Sequence, residues 1–173
     1  MKVVRIDAGV GPVLMADSAC RPDRRMPLFV PDGSWSIEIR PALRVGRLGK
    51  AMAPQFAPRH IDGWTLVAYL RPAAPSVLAD MIDDGLCTGL WQSVDNATDA
   101  PLPVKIDGTT TPVNLRRLLA RGAAELSDLS AAATFKTGDV IVLPDVLATA
   151  PAVAPAHILA MVGQISILDI AIR

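Results

Sequence analysis

The side chains capable of nucleophilic or metal chemistry are few in this sequence, and they stand far apart. The 173 residues include two cysteines, Cys20 and Cys87, and two histidines, His60 and His157. A cysteine nucleophile needs a histidine beside it, and a structural zinc site needs Cys or His ligands at close spacing. Neither spacing is present, so we expect buried or incidental thiols. We expect His60 to lie at the start of a strand or at an interface.

A carboxylate and a cation lie two residues apart in the segment "WSIEIRPALRV". Its alternation predicts a half-buried strand. The apolar face would carry Trp35, Ile37 and Ile39, and the polar face Ser36, Glu38 and Arg40. Because residues two apart share a face of a strand, Glu38 and Arg40 can form an ion pair.

Charge is distributed unevenly, although the net charge is zero. Between residues 21 and 71, four acids (Asp23, Asp32, Glu38, Asp62) stand against nine basic residues: Arg21, Arg24, Arg25, Arg40, Arg44, Arg47, Lys50, Arg59 and Arg71. A nucleic-acid interface normally needs a strongly basic domain, often with aromatic residues that stack on bases. Aromatic residues are only 4% of the chain, so we do not expect nucleic-acid binding.

The composition indicates a folded globular chain. Hydrophobic residues make up 51% of it and charged residues 20%, unlike a disordered sequence. The length suits one domain over residues 1–173. No run approaches 18 apolar residues, and the N-terminus lacks the pattern of a signal peptide. We therefore expect a cytoplasmic protein that does not contact the membrane.

The periodicity predicts about eight strands and two or three helices, which is a β-rich mixed α/β fold. Pro41 predicts an interruption of its strand, at an edge or a bulge. Helices are predicted over 72–84 and from Thr111 onward, with Thr111 as N-cap and Pro112 at the first helical position. Residues 148–155 are predicted to be a loop, and a closing hairpin is predicted around Gly163 and Gln164.

Several segments, in this order, resemble the fumarylacetoacetate hydrolase superfamily. The first is "RVGRLGKAMAPQFAPRHIDGWTLV", which is similar to that family's strand, Gly-Lys turn, short helix and following strand. The second is "PVKIDG" before a helix. The third is "FKTGDVIVLPDVL" with the terminal "VGQISILDIAIR". The similarity spans most of the chain and is loosest over residues 72–101.

The resemblance implies a β-roll of mixed sheets in a homodimer or larger assembly. It also implies cleavage of a C–C bond in acylpyruvate-like 2-oxo acids, or a related lyase or isomerase reaction. Members typically hold Mg²⁺ or another divalent ion on a Glu-x-Glu pair and a later Asp. A hard cation on carboxylates suits this chemistry, because it stabilises the charge of an enolate.

The implied metal site departs from the family pattern at this sequence's own residues. The Glu-x-Glu position reads Glu38-Ile39-Arg40, so Glu38 is the only retained ligand. No carboxylate lies near 68–70, where the third ligand is expected, and no histidine precedes His60 to act as the family's base. Three arrangements remain open: a Glu38–Arg40 ion pair, residual metal binding at Glu38, and an anion site at Arg40.

Three functions follow from these alternatives. The first is a binding or structural subunit with a degenerate metal site, which needs no cofactor and takes at most a small carboxylate ligand. The second is a divergent hydrolase, lyase or isomerase acting on a small 2-oxo acid, and only this alternative calls for Mg²⁺ or Mn²⁺. The third is an acidic-protein or nucleic-acid binder. We favour the first and expect a homodimer, since Trp35, Trp64 and Trp91 in apolar strands predict self-association.

Overall fold

Two β-sheets and one long helix make up the part of the chain that the computed structural model describes, residues 1–22, 26–74, 79–95 and 97–173. This confirms the predicted β-rich mixed α/β class. The elements are β1 (Val3–Asp7), β2 (Gly11–Met15), β3 (Cys20–Pro22), β4 (Trp35–Val45), β5 (Ile61–Pro72), β6 (Leu86–Thr88), β7 (Gln92–Ser93), β8 (Leu102–Ile106), β9 (Thr109–Val113), α1 (Leu115–Ala132), β10 (Val140–Val142), β11 (Ala148–Pro151), β12 (Ala156–Val162) and β13 (Ile165–Ile172). None of the helices described here is long and apolar enough to cross a membrane.

The larger sheet is mixed and is built around the long antiparallel pair β4 and β5. Its strand order is β2-β1-β10-β4-β5-β6-β3, with β11 also pairing with β4 and β7 with β5. The pairs β1–β10 and β3–β6 are parallel, and the other pairs are antiparallel. The smaller sheet, β13-β12-β8-β9, is antiparallel throughout. One face of the larger sheet packs on the main hydrophobic core, and the other face holds a smaller apolar cluster.

Helix α1 lies against the apolar face of β4. Its N-cap is Asn114, whose side chain accepts a hydrogen bond from the backbone N–H of Arg117 at 2.9 Å. The predicted start at Thr111 is wrong, because Thr111 and the following proline belong to β9. Gly122 marks the closest approach, since a Cβ there would lie 1.9 Å from Leu43 Cδ1. Any side chain there would displace the buried Leu43, so packing favours glycine although it weakens an isolated helix.

Pro41 lies in the middle of an uninterrupted central strand, so the predicted edge or bulge is wrong. Its carbonyl accepts the N–H of Leu143 at 2.9 Å on the side of β10 and β11. The N and C=O of one strand residue point to the same neighbour, so the Pro41 nitrogen faces that side too. There β10 ends opposite Ala42 and β11 begins opposite Ile39. The Pro41 nitrogen faces the gap between these two short strands, so the N–H that proline lacks is not needed for strand pairing.

Other predicted elements are confirmed in part. The closing hairpin forms as β12 and β13, whereas residues 148–151, predicted as loop, form β11. Residues 75–78 of the helix predicted over 72–84 lie outside the described part. The remainder is the end of β5 and a 3-10 turn, Ala79–Met81, so the helix prediction is wrong there.

The segment after β4 folds as a turn that is attached to the C-terminal end of α1. Gly49 and Phe135 exchange backbone hydrogen bonds of 2.9 and 2.8 Å. Ser130 Oγ accepts the N–H of Met52 at 2.8 Å, which fixes the loop on the helix. His60 ends a short 3-10 helix directly before β5, as expected of a residue at the start of a strand. The basic residues of this segment therefore belong to a structural connection.

Candidate functional site

The face of β4 that carries Glu38 and Arg40 has charged residues followed by an apolar cluster. Glu38 lies opposite Tyr69 of β5, and Arg40 lies opposite Val67. The alternation of β5 brings Arg71 to the same face, two residues beyond Tyr69. Toward the other end, the face is closed by an apolar cluster that includes Ala42 and Val67. The charged residues near Glu38 are thereby bounded by apolar side chains on that side.

Strand β1 contributes two more charges through a gap in the sheet. Val142 of β10 pairs with Arg5 on one side and with Ala42 on the other, and β10 ends there. Beyond Val142, no strand in the described part of the chain lies between β1 and β4. Asp7, two residues after Arg5, and Arg40, two residues before Ala42, therefore face each other across this gap. Their side chains meet, with Arg40 Nη1 2.9 Å from Asp7 Oδ1.

Six charged side chains form a linear network of alternating sign, which we call the ion-pair network. In order, its members are Asp80, Arg5, Asp7, Arg40, Glu38 and Arg71. The successive N–O distances are 2.5, 2.9, 2.9, 3.1 and 3.3 Å. Three carboxylates stand against three guanidinium groups, so the network is neutral without any added ion. The expected Glu38–Arg40 ion pair is thus confirmed as one link of a longer arrangement.

The central members of the network are withdrawn from water. Arg40 is 3% exposed, Arg5 5% and Glu38 8%. Arg40 Nε and Glu38 Oε2 have no partner of hydrogen-bond geometry among the described residues, although they lie 3.1 Å apart. Arg5 Nε has no hydrogen-bond partner there either. Burial of charge is costly, so each of these groups depends on its ionic neighbours.

Tyr69 lies on β5 within residues 68–70, the region where the family resemblance expects the third metal ligand. The guanidinium of Arg5 stacks 4.2 Å from the centre of its ring. Its hydroxyl donates a hydrogen bond to Asp80 Oδ1 at 3.2 Å. Burial raises the pKa of Tyr69 to about 12. The charge of Arg5 lowers this pKa, whereas the charges of Asp80 and Asp7 and the hydrogen bond to Asp80 raise it. The phenol is therefore neutral at physiological pH.

The single tyrosine of the chain makes this pKa directly measurable. We expect the ultraviolet absorbance of phenolate to appear near pH 12 in the folded protein and near pH ~10 in denaturant. Because the unfolded state ionises first, the stability linked to Tyr69 is complete below about pH 10 and is lost as the pH rises through about 12. Folded-state ionisation near pH 10 would show that the ring is not held as described.

A cleft of about 460 Å³ opens over this end of the sheet. Its charged and polar lining comes from Arg5, Asp7, Tyr69, Arg71 and Asp80. Its apolar lining comes from Val10, Val13, Pro72, Ala73 and Ala79. The volume lies in the range of small-molecule sites. Arg71 is the accessible cation of the cleft, with 45% of its side chain exposed.

The residues present do not fit a divalent metal. Glu38 is contacted by Arg40 at 3.1 Å and Arg71 at 3.3 Å, which places two fixed positive charges where a dication would have to approach. The described residues contain no group of three His, Cys, Asp or Glu side chains able to hold a metal ion. The role of Glu38 as a lone metal ligand and that of Arg40 as an anion site stay predictions. Arg40 would have to break its contacts with Asp7 and Glu38 to receive an anion.

The remaining candidates lie away from the cleft. His60 Nδ1 contacts the carbonyl of Arg47 at 3.2 Å, and His157 Nε2 contacts Asp169 Oδ1 at 2.6 Å on the exposed side of the smaller sheet. Cys20 and Cys87 are not joined in a disulfide, and burial raises the pKa of Cys20 to about 12. None of these four residues contributes to the cleft lining.

Sequence reasoning missed four members of the network, namely Arg5, Asp7, Arg71 and Asp80. Arg5 and Asp7 alternate with valine and isoleucine in β1, and charges on one face of an apolar strand are a detectable signal. Asp80 comes from a 3-10 turn beyond β5, and no local pattern indicates its contact with Arg5.

No family model and no curated protein sequence matches this chain, but solved structures do. A putative fumarylacetoacetate hydrolase family protein from Yersinia pestis superposes with a TM-score of 0.78 at 21% identity, covering 99% of this chain and 93% of the other. The 2-hydroxyhepta-2,4-diene-1,7-dioate isomerase from Mycobacterium marinum gives 0.79 at 19%, covering 99% and 73%. The maleylpyruvate hydrolase from Sphingobium, in complex with manganese(II) and pyruvate, gives 0.79 at 18%, covering 99% and 69%. This chain therefore has the fold of the fumarylacetoacetate hydrolase superfamily.

Proposed function

We propose that this protein is a binding or structural subunit with the superfamily fold, without metal-dependent cleavage of C–C bonds. The observation that carries the proposal is the ion-pair network. It fills the polar end of the sheet with balanced charge, and Arg40 stands where the resemblance expects the second metal-binding carboxylate. Fold alone does not fix activity, so the residues at the site decide the proposal.

Electrostatics explains why a metal would be excluded. A dication bound beside Glu38 would sit within a few ångströms of the guanidinium groups of Arg40 and Arg71. At an effective dielectric constant of 20, each unit charge at about 4 Å from a dication costs roughly 8 kcal/mol. The attraction of the Glu38 carboxylate is of the same size as the combined repulsion, so it leaves no gain to offset the cost of removing water from the ion. Arg40 thus performs the neutralising role that a metal would otherwise have.

Metal binding is the direct test of this proposal. We expect millimolar Mg²⁺ or Mn²⁺ to leave the melting temperature within error of a sample in chelator, because a ligand stabilises only the state that binds it. We also expect no Mn²⁺-dependent turnover of acylpyruvates. Electron paramagnetic resonance of Mn²⁺ gives the free and bound fractions. Saturable Mn²⁺ binding that is lost in Glu38→Gln would overturn the proposal in favour of a divergent 2-oxo-acid hydrolase, lyase or isomerase.

Self-association as a homodimer stays a prediction. Trp64 is buried within the chain itself, whereas Trp35 and Trp91 are half-buried and accessible to a partner. Light scattering measures the mass in solution, and a monomer would remove the homodimer from the proposal.

A further inference from the structure

Both ends of the ion-pair network open into the same cleft. Arg5, Asp7, Arg40 and Glu38 each contact two groups of opposite charge. The terminal members differ: among the described residues, Arg71 has one opposite charge, Glu38, and Asp80 has one, Arg5. Arg71 and Asp80 both line the cleft. A cation and a carboxylate with one ionic partner each therefore face one cavity.

The charge balance of the cleft restricts the ligand. The lining contains two arginines, Arg5 and Arg71, and two aspartates, Asp7 and Asp80. A ligand with a single charge would leave that charge unbalanced in a partly dehydrated site. A ligand with one negative and one positive group keeps the site neutral and can satisfy both ends of the network.

We propose that the cleft binds a small aminocarboxylic acid, with its carboxylate on Arg71 and its ammonium group on Asp80. A guanidinium can hold a carboxylate through two parallel N–H···O hydrogen bonds, and 45% of the Arg71 side chain is exposed to do so. Asp80 is 17% exposed and already accepts from Arg5 and Tyr69. The ligand would extend the network from a line to a closed ring of alternating charge.

Shape and polarity agree with this class of ligand. The cleft, of about 460 Å³, has apolar walls that include Val10, Val13 and Ala79, which suit a short hydrocarbon portion. The floor is formed by Arg5, which is 5% exposed, and by the ring of Tyr69, which stacks on the Arg5 guanidinium. This inference rests on the proposed function, because it requires that no metal occupies the same end of the sheet.

The test is isothermal titration calorimetry of the full chain with a homologous series: glycine, β-alanine, 4-aminobutyrate and 5-aminopentanoate. Butyrate and butylamine are the matched probes with a single charge. We expect at least one aminocarboxylate to bind saturably and at least 10-fold more tightly than either single-charge probe. Because the series varies the separation of the two groups, its optimum reports the span between Arg71 and Asp80.

Variants locate the binding site. Arg71→Gln and Asp80→Asn should each weaken the best ligand at least 10-fold. Arg121→Gln is the matched control, since that side chain is also 45% exposed and pairs with a single aspartate, Asp145, outside the cleft. It should leave the affinity unchanged. Should Asp80→Asn fold poorly, Arg71→Gln and its control still decide the outcome.

Each result supports or overturns the inference. Equal binding of butyrate would show a simple anion site, equal binding of butylamine a simple cation site, and no saturable binding by the series would exclude this ligand class. A parallel titration with Mn²⁺ and pyruvate separates the two proposals. Binding of pyruvate only with Mn²⁺ overturns the proposed function, whereas an unresponsive series without any effect of Mn²⁺ overturns the ligand class alone.

Discussion

Replacing Arg40 by methionine is expected to destabilise the fold by about 3–5 kcal/mol, the range seen when one partner of a buried ion pair is removed. Arg40 is 3% exposed and lies between Asp7 and Glu38. Its loss leaves two carboxylates at the centre of the network with one cation each. Chemical denaturation followed by tryptophan fluorescence gives the free energy of unfolding.

Arg44→Met is the matched control, because Arg44 is on the same strand and pairs with a carboxylate, Asp62, at 2.8 Å. That pair is exposed, with side-chain exposures of 36% and 47%, and a surface pair contributes about 0–1 kcal/mol. A loss for Arg40→Met no larger than that of Arg44→Met would contradict the buried network.

The double variant Glu38→Met/Arg40→Met distinguishes the loss of a pair from the loss of packing. It removes the buried carboxylate together with its cation, while Asp7 keeps Arg5 as partner. Apolar residues of similar size often replace a buried ion pair at little cost. We therefore expect the double variant to recover most of the stability lost in Arg40→Met. The coupling energy of this cycle measures the Glu38–Arg40 interaction.

The parts of the structure that sequence could predict are those that depend on neighbours along the chain. The Glu38–Arg40 pair follows from a spacing of two in a strand, and the closing hairpin follows from its turn residues. The order of the motifs along the chain suggests the fold, because several weak sequence signals in that order agree with one another.

The parts that sequence could not predict depend on contacts between distant residues. In the sequence Pro41 predicts a break in the strand, but in the structure β10 and β11 leave a gap beside it. Asp7 reaches Arg40 across 33 positions, and Asp80 reaches Arg5 across 75. The periodicity of the sequence does not reveal contacts between residues so far apart, so only the Glu38–Arg40 pair of the network could be predicted.

The proposed function requires that a guanidinium can stand in for a metal ion without disturbing the sheet. A cation is needed wherever several carboxylates converge, and either a metal ion or a guanidinium can supply it. With Arg40 in place, Asp7 and Glu38 each have a cation within 3.1 Å, and the strands keep their register. The fold itself does not depend on which cation is present, since this chain superposes on a structure that holds manganese(II) with a TM-score of 0.79.

Carboxylates placed at positions 40 and 69 should create a metal site. In Arg40→Glu/Tyr69→Asp, carboxylates at positions 40 and 69 would join Glu38, because Glu38 and Tyr69 are register partners and position 40 shares their face. Five carboxylates would then face Arg5 and Arg71, so the metal-free variant should be severely destabilised by repulsion. Oxygen ligands of this kind suit Mn²⁺, which should recover its stability.

The size of the recovery follows from mass action. At a Mn²⁺ concentration 100 times the dissociation constant, the gain is about 2.7 kcal/mol, which a thermal melt resolves clearly. Arg40→Met/Tyr69→Asp is the control: it loses the same cation and the same ring but gains one carboxylate fewer, so Mn²⁺ should stabilise it far less. If the metal leaves the first variant as unstable as it is in chelator, then Arg40 is not a substitute for a metal. The network would in that case be an ion-pair cluster unrelated to the metal chemistry of this fold.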